Sequence, residues 1–171
     1  MPPFSFQRLS YRSLNLAGVA GSVISMLFAV VVLQKMFGLE PCPLCMIDRV
    51  LVVALGLIFL VAALHNPGKI GQRIYAMVAT LVSLAGVAVC LRHIWLQHLP
   101  ADEVPTCAPG LDYMLQALPL SETLQIIFTT SGECAHIDWT LLGFTLPEQT
   151  LAVFAGFLLL SLLQMFRKPA N

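Results

Sequence analysis

Four long, mostly apolar stretches, at 14–33, 46–64, 74–95 and 150–166, constrain this chain more than any motif in it. A helix needs about 20 such residues to cross the hydrocarbon of a bilayer at about 1.5 Å per residue. In that solvent a backbone must satisfy its own amides, so each stretch reads as a transmembrane helix. Composition agrees: 58% of the residues are hydrophobic and 11% charged, against about 25% charged in soluble domains. Too little polar surface remains to cover a water-soluble globule, which excludes a soluble enzyme and a disordered chain. A net charge of zero leaves no basic footprint for nucleic acid.

The expected fold is therefore an all-α membrane protein, a four-transmembrane-helix bundle forming a single integral membrane domain over residues 1–171. Its outer loops are a short one at about 34–45 and a long one at about 96–149. Arg8 and Arg12 ahead of the first apolar run would also suit a secretory leader. That run is longer than the roughly 7 to 15 apolar residues of a leader, and Gln34, Lys35 and Met36 follow without a small-residue cleavage pattern. Asp48 and Arg49 open the second span, a place that suits an interfacial or bundle-facing helix end.

Basic residues set the orientation. Arg8, Arg12, Lys69, Arg73, Arg167 and Lys168 gather on the side of the termini and the 65–73 loop, six against Lys35, Arg49 and Arg92 on the other. The richer side is expected to be cytoplasmic. The long outer segment is cut by Pro100, Pro105, Pro109, Pro119 and Pro147. It is expected to lie on the bilayer surface with Leu115, Leu118, Leu124, Ile127 and Phe128 toward lipid.

Under this topology Cys42, Cys45, Cys107 and Cys134 lie outside the cytoplasmic leaflet and Cys90 within the third span. Thiols in an oxidising compartment tend to pair, but four cysteines allow three pairings. The Cys42-Pro-Leu-Cys45 element closes a short ring of the kind used as a redox device. Cys45 stands at a helix N-terminus with Arg49 at i+4, where positive charge favours a thiolate. Half of a structural zinc site is the competing reading, weakened because no second C-x-x-C exists and the other two cysteines are 27 positions apart. Cys107 and Cys134 would suit a loop staple taken alone, but a membrane-bound C-x-x-C beside them favours a second exchanging pair. Ala79, Ser83, Gly86 and Cys90 form a small-residue stripe at helical period, so Cys90 reads as packing. His93, beside Arg92 and Trp95, is either an interfacial anchor or, with Arg49, a donor to a lipid-soluble electron acceptor such as a quinone.

The ordered set Pro-Cys-Pro-Leu-Cys-Met-Ile-Asp-Arg at 41–49, His93 before Leu-Gln-His-Leu-Pro, Thr106-Cys107 and Ser-Gly-Glu-Cys-Ala at 131–135 with Trp139, Leu142, Gly143 and Pro147 resembles the DsbB disulfide bond formation family of the bacterial inner membrane. The resemblance implies a multi-pass enzyme with both termini cytoplasmic. Such an enzyme makes disulfides by reducing ubiquinone or menaquinone and reoxidises a periplasmic DsbA-like thiol oxidase. By the same resemblance Cys42–Cys45 and Cys107–Cys134 are the resting disulfides. Cys107 is then attacked by the partner, Cys42 pairs transiently with Cys134, Cys45 faces the quinone, Arg49 holds it and His93 assists. Asp48 is assigned no chemistry, and no metal is expected. The alternatives are a bundle resembling vitamin K epoxide reductase, whose outer cysteines are arranged differently, and a metal-binding or structural membrane protein using the outer cysteines as ligands or staples.

The orientation is tested with membrane-impermeant thiol reagents. After reduction they are expected to label Cys42, Cys45, Cys107 and Cys134 from the outer side, with terminal reporters on the cytoplasmic side; labelling of Cys107 only from the cytoplasm overturns it.

Overall fold

A computed structural model describes residues 10–100, 102–107, 111–137 and 139–167. Arg8, Pro109, Asp138 and Lys168, and the side chains of Asp112 and Leu115, lie outside the described residues. Helix α1 (Tyr11–Leu27) begins at Ser10, whose hydroxyl accepts from the Ser13 amide. It runs on without a break into a widened stretch, Phe28–Met36. Here amides reach back farther than in an α-helix: Phe37 N–H donates to Val32 O and Leu39 N–H to Leu33 O, both at 3.1 Å. Such π-type turns displace carbonyls from the regular ladder and recur at functional sites.

Helix α2 (Pro43–His65) follows a short loop and ends at Asn66, whose positive φ of 40° closes it. Helix α3 (Lys69–Gln97) leads into the outer segment, which holds α4 (Leu111–Ala117), α5 (Leu120–Thr130) and a 3-10 turn at Gly132–Ala135. Strands β1 (Thr140–Leu141) and β2 (Phe144–Thr145) pair antiparallel, Thr140 opposite Thr145. Helix α6 (Leu146–Phe166) starts with a capping box in which the Glu148 carboxylate accepts from Thr145 N–H at 2.6 Å.

Among the described residues four helices are long and apolar enough to span a membrane: Tyr11–Met36, Pro43–His65, Lys69–Gln97 and Leu146–Phe166. The protein is an all-α, four-helix, multi-pass membrane protein. Each helix outruns the apolar stretch that marks it, α1 through its widened turns and α6 from its N-terminal capping box. Gln34 is thus helical rather than the start of a loop.

Helix pairs α3–α6, α1–α2 and α2–α3 pack most extensively. Small residues let them approach: a Cβ on Gly18 would lie 2.6 Å from the Phe59 ring, and one on Gly86 would run into Phe154. Ala79, Ser83, Gly86 and Cys90 are all buried, so the stripe faces the bundle. Ser22 Oγ donates to Val52 O at 2.7 Å and ties α1 to α2. Val52, Leu55, Phe59, Cys90, Phe154 and Phe157 form the bundle core.

A second cluster lies at the outer end, where Met114, Ile127 and Cys134 cover Leu44, Val89 and Leu96. This corrects the expectation for α5. Ile127 is only 3% exposed and packs inward with Thr123, while Leu120, Leu124 and Phe128 form the outer face one helical stripe away. Leu118, too, packs against this cluster. The segment is too short to build its own core, so it borrows the ends of α2 and α3.

Gly86→Ala places a methyl group against the Phe154 ring, and overpacking of this kind costs about 1 to 3 kcal/mol. Thermal unfolding in detergent is expected to shift down accordingly, whereas Gly156→Ala, with nothing within 4 Å of its added Cβ, is expected to leave it unchanged.

Candidate active site

The first turn of α2 carries both cysteines of the C-x-x-C. Cys42 is the N-cap and accepts, through Sγ, the Cys45 amide at 3.4 Å; Pro43 follows at the first helical position, where no N–H is needed. This cap folds Cys45 back over Cys42, and the two sulfurs stand 3.0 Å apart. The helix N-terminus aims its amides at them, a field that favours negative sulfur.

Two other elements bring side chains to the same point. His93, one turn beyond Cys90 on α3, is 4% exposed and presents Nε2 to Cys42 Sγ at 3.9 Å. Arg92 turns elsewhere: its guanidinium lies 4.3 Å over the Trp95 ring and donates to Phe128 O at 3.1 Å. Cys134, buried in the 3-10 turn, lies beside Cys42. The Cys42 thiol donates to Cys134 and Cys45, and with burial this pushes its pKa up. Cys134 is pushed down by accepting from Cys42, against the opposing effect of burial, and is helped by the Leu44 backbone.

Cys107 is exposed, yet its strand is tied to that of Cys134. Gly132 N–H donates to Thr106 O at 3.3 Å, and a Cβ on Gly132 would run into Pro105 O. Only glycine lets the two cysteine-bearing stretches touch there. Four cysteines therefore lie in sequence across one end of the bundle, from exposed Cys107 through Cys134 to Cys42 and Cys45.

Below the sulfurs is a cavity of about 360 Å³ walled by all four spanning helices, with Cys45, Asp48, Arg49, His93, Gln97 and Trp139 on its lining. Arg49 reaches across to α1, donating to Gln34 Oε1 at 2.8 Å and to Ala29 O at 3.4 Å. Trp139 packs at a tilt against Phe28 and Phe37, with ring centroids 6.1 and 5.8 Å away. Asp48 is 5% exposed and turned toward Cys90, whose Sγ donates to its two carboxylate oxygens at 3.7 and 3.8 Å. Cys90 is thus packing and also the partner of a buried acid. Two buried atoms of the site, His93 Nδ1 and Gln97 Oε1, have no hydrogen-bond partner among the described residues.

Sequence reasoning placed Cys42, Cys45, Arg49 and His93, and the structure gathers them. It passed over Gln97, whose i+4 spacing from His93 puts both on one face of α3 and was available as a signal. Nothing local marks Gln34 or Trp139 as wall residues; both arrive through tertiary packing. As for metal ligation, Cys42 Sγ, Cys45 Sγ and a His93 ring nitrogen lie within 4.8 Å of one another.

The family model described as disulfide bond formation protein DsbB matches residues 11–164. Relatives named disulfide bond formation protein B include one from Nitrosococcus oceani, 52% identical over 78% of this chain and 79% of its own. Another, from Acinetobacter baumannii, is 49% identical over 94% of both chains. A third, from Psychrobacter sp., is 44% identical over 93% of this chain and 94% of its own.

Gly132→Ala is expected to separate the 105–107 and 132–134 stretches. Oxidative cross-linking between Cys107 and Cys134 should then slow by about 10-fold or more, while Cys42–Cys45 cross-linking is unchanged. Equal rates in variant and wild type overturn the assignment of Gly132 as the close-contact residue.

Proposed function

Since this chain belongs to the DsbB family and is a membrane oxidoreductase that forms disulfides, we propose that it carries electrons from a periplasmic DsbA-like dithiol to a membrane quinone. The observation that carries this reading is the cavity: it adjoins Cys45, opens among four apolar helices, and holds polar atoms that await a partner. A quinone, when bound, supplies the two-electron, two-proton acceptor chemistry. Its two carbonyl oxygens suit this donor set. His93 Nδ1 carries a donor in one tautomer, the Arg49 fork offers charged donors, and the Gln97 oxygen accepts from a hydroxyl.

The chain's own residues then divide the work. Exposed Cys107, resting in a disulfide with Cys134, takes the attack of the partner's thiolate and releases Cys134. Cys134, held beside Cys42, attacks it and releases Cys45 as the thiolate at the helix N-terminus. A second partner thiol resolves the bond at Cys107, and the partner leaves as a disulfide. The freed Cys107 thiolate then attacks Cys134, remaking Cys107–Cys134 and releasing Cys42, so that Cys42 and Cys45 together hold the two electrons and close again as a disulfide when these pass to the acceptor. Arg49 and His93 position the acceptor against Cys45, and Trp139 with Phe28 and Phe37 excludes water from above. We place the protein in the bacterial inner membrane with both termini cytoplasmic, on the strength of its basic residues.

The test separates the two halves of the relay. Cys107→Ser is expected to stop turnover with reduced partner, yet a small dithiol that reduces Cys42–Cys45 directly still drives quinone absorbance changes. Cys45→Ser is expected to accumulate a mixed disulfide at Cys107 with no quinone reduction from either donor. Normal turnover in either variant overturns the direction of flow.

A further inference from the structure

We propose that the reduced site also binds one soft divalent cation of the zinc and cadmium class, held by Cys42 Sγ, Cys45 Sγ and His93 Nε2. Judged on cysteine spacing alone a zinc site fails, because the chain has a single C-x-x-C. The third ligand comes from another helix. Cys42 and Cys45 supply two sulfurs 3.0 Å apart from the first turn of α2, and α3 brings His93 Nε2 to 3.9 Å from one of them. All three atoms fall within 4.8 Å.

Tetrahedral zinc with Zn–S of about 2.3 Å and Zn–N of about 2.0 Å needs sulfurs about 3.8 Å apart and each sulfur about 3.5 Å from the nitrogen. The sulfurs must therefore part from 3.0 Å and Cys42 Sγ close on Nε2 from 3.9 Å, adjustments within the reach of side-chain torsions. His93 is 4% exposed, and among the described residues its other ring nitrogen has no hydrogen-bond partner, so no bond there turns Nε2 away from the sulfurs. Cys134 lies beside Cys42, and the three-ligand group is Cys42, Cys45 and His93. Two thiolates and an imidazole select a soft cation over magnesium or calcium, and the buried carboxyl of Asp48 is turned away to Cys90.

Binding moves no electrons: two thiol protons leave to solvent and two sulfur–metal bonds form. Once Cys42 and Cys45 are a disulfide those ligands no longer exist, so the site belongs to one redox state. While the cation stays, neither sulfur can form a disulfide, and the pair is held reduced. This goes beyond the quinone reading, and binding itself does not depend on it.

The experiment uses the full chain in detergent, stripped of quinone, reduced with a phosphine that is then removed, and titrated with Cd²⁺. One Cd²⁺ per chain is expected, with sulfur-to-metal charge-transfer absorption that is absent from the oxidised protein and from Cys45→Ser. His93→Ala is expected to weaken binding by at least about 10-fold, and His93→Cys, which returns a ligand from the same position, to bind more tightly than His93→Ala. Cys90→Ala is expected to bind like the wild type, since its sulfur is spent on Asp48. Equal affinity in His93→Ala and wild type, equal weakness in the two His93 variants, or the same uptake by oxidised protein overturns the site. With no quinone and no thiol partner present, these outcomes are independent of the electron relay.

Discussion

A helix leaves its first amides without intrahelical partners, and in α2 one of them is satisfied by sulfur: Cys42 Sγ accepts from Cys45 N–H. Pro43 fits the next position because it has no N–H to lose. That cap brings the two sulfurs together and aims the helix dipole at them. It also sets them on the rim of the cavity, since α2 enters the bundle at this point. The redox pair and the start of the helix are one piece of local structure.

Around that turn the bundle supplies what the turn lacks. Small residues on α1 and α3 let the rings of Phe59 and Phe154 seat deeply, which holds α2, α3 and α6 close enough for His93 to reach Cys42. The widened end of α1 gives Arg49 a carbonyl and Gln34 as partners. These hold a strong cation at the cavity wall rather than letting it turn to solvent. The outer segment closes the top by adding Met114, Ile127 and Cys134 to the apolar ends of α2 and α3.

The buried acid in this bundle illustrates how burial and partnering are linked. A carboxyl group among apolar helices needs hydrogen-bond partners. Asp48 finds the Cys90 thiol, one turn before His93 on the facing helix. The small-residue stripe that ends in Cys90 therefore both permits close packing and satisfies a polar group. A reading of Cys90 as inert filler, reasonable from its spacing, covers only half of that role.

The chain's own order of residues determined the class and much of the chemistry: long apolar stretches admit only helices that span a membrane, and the C-x-x-C with its flanking prolines and Arg49 reads as a redox turn by spacing alone. Gly86 and its neighbours on α3 were legible for the same reason, as a helical period. Which face of α5 turns inward was not, because its apolar residues occur on two stripes and only the ends of α2 and α3 decide between them; Ile127 went in and Phe128 stayed out. Gln34, Gln97 and Trp139 became wall residues, and Cys134 a neighbour of Cys42, through contacts between segments far apart in sequence. Local pattern carries no information about such distances, and only the packing of four helices and one borrowed outer core sets them.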